Sequence, residues 1–138
     1  MSTTLQIDLY DEITAWSVRA IVDRLRANPD AEVLIRVNSP GGDVLEGFAL
    51  ANVIRSHKGR KTALVEGLAA SAASFVLCAC DEVRMFAESM LMVHAPWQPY
   101  GQSDASQLEE QAEVLRKMES LCVGLYQRKT GASEEQVR

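Results

Sequence analysis

Four places in the chain carry groups able to do chemistry. Ser39-Pro40-Gly41-Gly42 follows a short β-branched run. Adjacent glycines let backbone N–H groups approach a ligand closely, as an anion or oxyanion site requires. On the dipeptide alone, a tight strand-to-helix turn is the simpler reading. Ser71 stands before an Ala-rich stretch. There it is either the N-cap of a helix or a nucleophile. Its neighbours Ala69, Ala70, Ala72 and Ala73 are small, so a substrate backbone could come close. His94 closes the apolar run Met90-Leu91-Met92-Val93, just before Ala95-Pro96. A histidine at a strand end suits a general base, and a structural histidine suits the position about as well. The other histidine, His57, lies at a helix C-terminus, where its charge suits the helix dipole. Cys78, Cys80 and Cys122 lack the spacing of a zinc site and read as small core residues in a reducing compartment. Trp16 and Trp97 read as packing or interface residues, and Trp97 could wall a substrate cleft.

The elements that must position these groups follow from periodicity. Leu5 to Tyr10 alternates apolar and polar residues, as a half-buried strand does. Thr14 caps a helix carrying Val18, Ile21, Val22 and Leu25, which Asn28-Pro29 stops. Val33 to Val37 is a second strand. Asp43 caps a second helix, with Leu45, Phe48, Ala49, Asn52 and Val53 on one face. Thr62 to Val65 is a third strand, and a small-residue helix spans Ala72 to Cys80. Glu82 to Phe86 and Met90 to Val93 are two further short strands. Ser103 to Lys129 is one long helix with a seam of Leu108, Ala112, Leu115, Met118, Leu121 and Leu125. Ser133 opens a new capping box. Strands alternating with helices predict an α/β fold of βαβ units around a mostly parallel sheet.

Composition narrows the class. A chain of 138 residues is one domain by length. Its charged and apolar fractions, 24% and 47%, are those of a globular protein and exclude general disorder. The net charge of −5 supplies no basic face for nucleic acid. No apolar run is long enough for a membrane span and no signal segment opens the chain, so a cytoplasmic location is expected. No metal or cofactor is implied.

Three segments in register are far more specific than any one of them. Asn38-Ser39-Pro40-Gly41-Gly42, Gly67-Leu68-Ala69-Ala70-Ser71-Ala72-Ala73-Ser74-Phe75 and Met92-Val93-His94-Ala95-Pro96 resemble the motif blocks of the ClpP family of serine peptidases. The Ala-Ser-Ala-Ala wording around Ser71 and the Pro-Trp after His94 resemble the phage head-maturation (prohead) proteases related to ClpP. The resemblance implies a ClpP/crotonase-like superhelix with a protruding handle helix, here Ser103 to Lys129. It implies Ser71 as nucleophile, His94 as general base, and the backbone N–H groups of Gly42 and Ala72 as the oxyanion hole. It implies a protein or peptide substrate, such as a capsid or scaffold precursor, a homo-oligomeric ring, and a possible AAA+ unfoldase partner.

The family triad also needs a residue to orient the histidine, in the segment after the capping box at Ser133. The sequence ends at Arg138, so residues 1–138 are expected to be a single peptidase domain lacking its C-terminal part. Asp81, Glu88 and Asp104 are possible substitutes, and the third member is left unassigned. Alternatives are an ATP-dependent Clp proteolytic subunit, an acyl-CoA enzyme of crotonase-like fold, and an inactive ring-assembly subunit. The Ser71 and His94 pair speaks against the acyl-CoA reading.

Overall fold

The computed structural model describes residues 3–138. The chain forms two compact units, one running to Val93 and one from His94 to Arg138.

In the first unit, β1 (Leu5–Leu9), β2 (Val33–Ser39), β3 (Lys61–Ala70), β4 (Glu82–Met85) and β5 (Met90–Met92) form one sheet. Every pairing is parallel, in the order β1-β2-β3-β4, with β5 also paired to β3. The helices α1 (Ala15–Ala27), α2 (Val44–Ser56) and α3 (Ala73–Ala79) provide the crossovers that parallel strands require. Alternate residues of β1 and β2 are buried, including Ile7, Leu9, Val33, Ile35 and Val37. They share the core with Val18, Ile21, Val22 and Leu25 of α1 and Leu50, Ala51 and Ile54 of α2. Each large side chain of this set contributes roughly 1.5–3 kcal/mol on burial.

Local signals place the helix starts. Thr14 and Ser17 exchange hydrogen bonds across the first turn of α1 in a capping box. Asp43 Oδ1 accepts from Glu46 N at 2.9 Å and starts α2. The α2 face differs from the expected one. Leu45 is 59% exposed and Phe48 only half-buried, while Gly47, Leu50, Ala51 and Ile54 are buried. The reason is close approach: a Cβ on Gly47 would lie 2.9 Å from both Ala72 Cβ and the Phe75 ring. The small side of α2 therefore faces α3, and Phe48 stacks on Phe75 at the margin with ring centroids 4.8 Å apart.

β3 is longer than expected, running ten residues to Ala70. Its first half pairs with β4 and its last three residues with β5, so both short strands share one edge of β3. Against β2 the register slips between Val37 and Ser39. There Asn38 Oδ1 accepts from Leu68 N at 3.1 Å, so a side chain satisfies a donor that the ladder leaves out.

The second unit contains α4 (Ala105–Thr130) and α5 (Glu134–Val137). Asp104 and Ser133 open them with capping boxes, and Gly131 ends α4 in the left-handed conformation, φ 72°. The expected seam of α4 holds only in part. Met118, Cys122, Val123 and Leu125 are buried, while Leu108 and Leu121 are about half exposed, at 47% and 50%. Within this unit α5 returns against α4, and Arg138 pairs with Glu119 and Glu134.

Candidate active site

The C-terminal edge of the parallel sheet gathers the motif residues of the first unit, as open α/β sheets gather their ligand sites. β3 ends at Ala70, and the chain turns sharply at Ser71 into α3. Ser71 has φ 55° and is the one described non-glycine residue with positive φ. A backbone held in this sparsely populated region costs roughly 1–3 kcal/mol and persists only where its surroundings impose it. Those surroundings are on both sides of the residue. Ser71 N donates to Met92 O of β5 at 2.8 Å. Ser71 O accepts from Ser74 N at 3.0 Å and from Ser74 Oγ at 2.6 Å. The N-cap position belongs to Ala72, which makes no side-chain cap, so Ser71 does not act as the capping residue. It is half-buried, and its side chain sits at the apex of a strand-to-helix turn.

The glycine turn lies directly beside this apex. Gly41 has φ 92°, and a Cβ there would fall 2.6 Å from Ala70 O, 2.8 Å from Ser71 Cβ and 3.0 Å from Ala72 N. Only a residue without a side chain fits. Gly42 approaches Ile13 as closely, with a Cβ due 2.3 Å from Ile13 O. Ile13 and Gly42 form an isolated bridge in which Ile13 N donates to Gly41 O at 2.8 Å and Asp43 N to Ile13 O at 2.9 Å. Ser39, wholly buried, completes the turn: its Oγ donates to Asp11 O at 2.7 Å and accepts from Gly41 N at 3.2 Å. Among the described residues, neither the Gly42 N–H nor the Ala72 N–H has a hydrogen-bond acceptor. Two unspent donors beside a strained serine are the raw material of an oxyanion site.

Ala69, Ala70, Ala72 and Ala73 are at most 1% exposed. Of these, Ala70 and Ala72 lie against the glycines, Ala70 beside Gly41 and Ala72 beside both Gly41 and Gly47. Ser39 and Asn38 shape the site, whereas the sequence reading takes them only as part of the glycine motif and gives neither a role of its own. The alternation that buries Val33, Ile35 and Val37 puts Ser39 on the same buried face and Asn38 on the other.

His94 opens the second unit and is exposed. Its Nδ1 lies 2.7 Å from Ala95 O. A carbonyl only accepts, so Nδ1 carries the proton and Nε2 is the basic nitrogen. His57 is buried, and its Nε2 donates to Ala31 O at 2.8 Å, which ties the end of α2 to the loop before β2. This bond, beyond the helix dipole, accounts for the residue. Of the acids considered as orienting residues, Asp81 sits at the start of β4, at the opposite end of β3 from Ser71, where it accepts from Lys61 N at 2.8 Å. Asp104 is occupied as the cap of α4, accepting from Gln107 N at 2.9 Å. Glu88 is exposed in the turn before β5. Cys80 and Cys122 are buried thiols and Cys78 is half-buried. Among the described residues no group of His, Cys, Asp or Glu is placed to hold a metal ion, and no helix is long and apolar enough to cross a membrane.

The family described as Clp protease matches residues 1–138. The chain belongs to the Clp protease family. An ATP-dependent Clp protease proteolytic subunit of Mesostigma viride is 32% identical over 133 residues, which is 95% of this chain and 58% of that protein. This Clp protease family chain thus spans under two thirds of that relative's length. Its α/β architecture, a parallel sheet with helical crossovers, is consistent with the ClpP fold.

Proposed function

We propose that this Clp protease family chain is a serine endopeptidase in which Ser71 is the nucleophile and His94 its general base. The observation that carries the reading is the pair of unspent N–H donors, Gly42 and Ala72, flanking a serine held at φ 55°. The order of the motifs supports the same roles. β3 leads into Ser71, β2 leads into Gly41-Gly42, and β5, hydrogen-bonded to Ser71 N, ends two residues before His94. Ser71 Oγ attacks the scissile carbonyl while His94 Nε2 takes its proton. The Gly42 and Ala72 N–H groups receive the developing oxyanion. His94 then protonates the leaving amine, and water, activated in the same way, releases the acyl group. No metal or cofactor takes part in this scheme.

On this reading residues 1–138 act as one peptidase domain, α4 serves as a handle helix, and the chain assembles into a homo-oligomeric ring. A ring restricts substrates to unfolded or flexible protein segments. The wording Ala70-Ser71-Ala72-Ala73 and Pro96-Trp97 supports a head-maturation protease acting on capsid or scaffold precursors, in the cytoplasm. A second reading, a proteolytic subunit served by an AAA+ unfoldase, is favoured by the name of the Mesostigma viride relative.

A fluorophosphonate probe tests the chemistry. The expected result is an adduct mapped by mass spectrometry to Ser71 and absent from His94→Ala. An unlabelled, folded wild-type protein would overturn the peptidase and favour an assembly subunit. Degradation of a stably folded substrate only when an unfoldase and ATP are supplied would select the second reading over the first.

A further inference from the structure

We infer that Ser39 is a positioning residue for the oxyanion donor Gly42, an inference that rests on the peptidase reading for its catalytic consequence. Around the glycine turn the N–H groups of Gly41 and Asp43 and the carbonyl of Gly41 are committed. Gly41 O accepts from Ile13 N, and Asp43 N donates to Ile13 O. Gly41 N donates to Ser39 Oγ at 3.2 Å. Among the described residues, the Gly42 N–H alone of these groups has no acceptor. The direction of that N–H is therefore set by bonds to the residues on either side of it.

Two of the tethers, Ile13 N to Gly41 O and Asp43 N to Ile13 O, are backbone to backbone. Ser39 supplies the one side-chain tether, and it works in two directions. Its Oγ accepts from Gly41 N and donates its single proton to Asp11 O at 2.7 Å, in the segment leading to Ile13. The hydroxyl thus locks the turn to the strand that bridges it. Ser39 is 0% exposed, so bulk water does not compete for these two bonds in the folded turn. Removing the hydroxyl leaves a buried N–H and a carbonyl without partners, and the turn must move to recover them. A donor displaced by less than 1 Å is still present and still binds substrate. It is wrongly aimed at an oxyanion that exists only near the transition state. The loss therefore falls on kcat and not on KM.

The test compares wild type with Ser39→Ala and Ser39→Cys. The second is nearly the same shape as serine, so it keeps the fold, but its thiol is a weak donor and acceptor. Two quantities are read on each protein: kcat and KM on an unstructured fluorogenic peptide, and amide hydrogen exchange of Gly41 and Gly42. Expected in both variants are exchange at Gly41 at least about tenfold faster and a kcat about ten- to a hundredfold lower, with KM within about twofold. Unchanged exchange at Gly41 would overturn the inference whatever the activity. So would a KM that rises while kcat holds. If wild type never reacts at Ser71, the peptidase reading fails, and the exchange comparison alone decides whether Ser39 fixes the turn.

Discussion

Gly41 shows how little room the site leaves at the level of single residues. Gly41→Ala puts a methyl 2.6 Å from Ala70 O at φ 92°. The expected loss is roughly 2–4 kcal/mol, combining the left-handed backbone with overpacking against fixed main chain. A urea midpoint that falls with unchanged slope checks it. Cys122 gives a pH signature. Burial pushes its thiol up to about 11, with the charge of Glu119 adding to the effect. The folded chain therefore holds the thiol proton more tightly than the unfolded chain, whose thiol titrates near 9.0. The resulting stability is full below pH 9.0 and is lost as pH climbs through about 11. Cys122→Ala is expected to flatten the fall in melting temperature across that window. The motif residues were legible in the sequence because their types are tied to backbone geometry: paired glycines for a close turn, a serine and a histidine at strand ends. Ser39 was harder to see, since a buried serine and a turn serine look alike until Asp11 O and Gly41 N are found on either side of it.

At the level of elements, Asn38 decides how β3 reaches the site. Its carboxamide fills the break in the β2–β3 ladder by accepting from Leu68 N. Asn38→Ala leaves that N–H unpaired and is expected to cost about 1–3 kcal/mol by chemical denaturation. Loss of the Asp43 cap in Asp43→Ala costs about 1 kcal/mol by the same measurement. The same break explains why the sequence pattern predicts only Thr62 to Val65 of β3. Alternation is clean from Lys61 to Val65, then Glu66-Gly67-Leu68 interrupts it, and the Ala pair that follows carries no β-branched signal. Caps were the most legible features, since Thr14, Asp43 and Ser133 are each identifiable by side-chain chemistry alone. Buried faces were less so. On α2 the closest approach is at Gly47, which has no side chain to signal it, so the spacing of Leu45, Phe48, Ala49, Asn52 and Val53 points to a face beside the one that is buried.

Within the first unit, Met85, Phe86, Met90, Leu91 and Val93 are 43–68% exposed along β4, β5 and the turn between them. Exposed apolar side chains gathered in one stretch of chain suit the subunit contacts that the proposed ring requires. The expected outcome is a homo-oligomer by light scattering, reduced in mass by Phe86→Asp, and a stable native monomer would sink the ring. The whole molecule also has an acid limb. A hydrogen bond from Lys61 N, with the Lys61 ammonium nearby, holds Asp81 below the usual carboxylate range. That support is present above the ordinary aspartate pKa of 3.8 and is lost as pH falls below it, so Asp81→Ala should lose less stability on acidification than wild type. If Ser71 is the nucleophile, as proposed, the left-handed serine at the end of β3 sets function against durability. Ser71 occupies a conformation that glycine adopts without penalty, and a nucleophile cannot be glycine. On the proposed peptidase reading both Ser71→Ala and Ser71→Gly are expected to abolish acylation, while the glycine variant should outlast the alanine variant by about 1 kcal/mol on heating. The most stable version of this fold is then an inert one, and any drift that releases the chain from catalysis would be rewarded with a tougher scaffold.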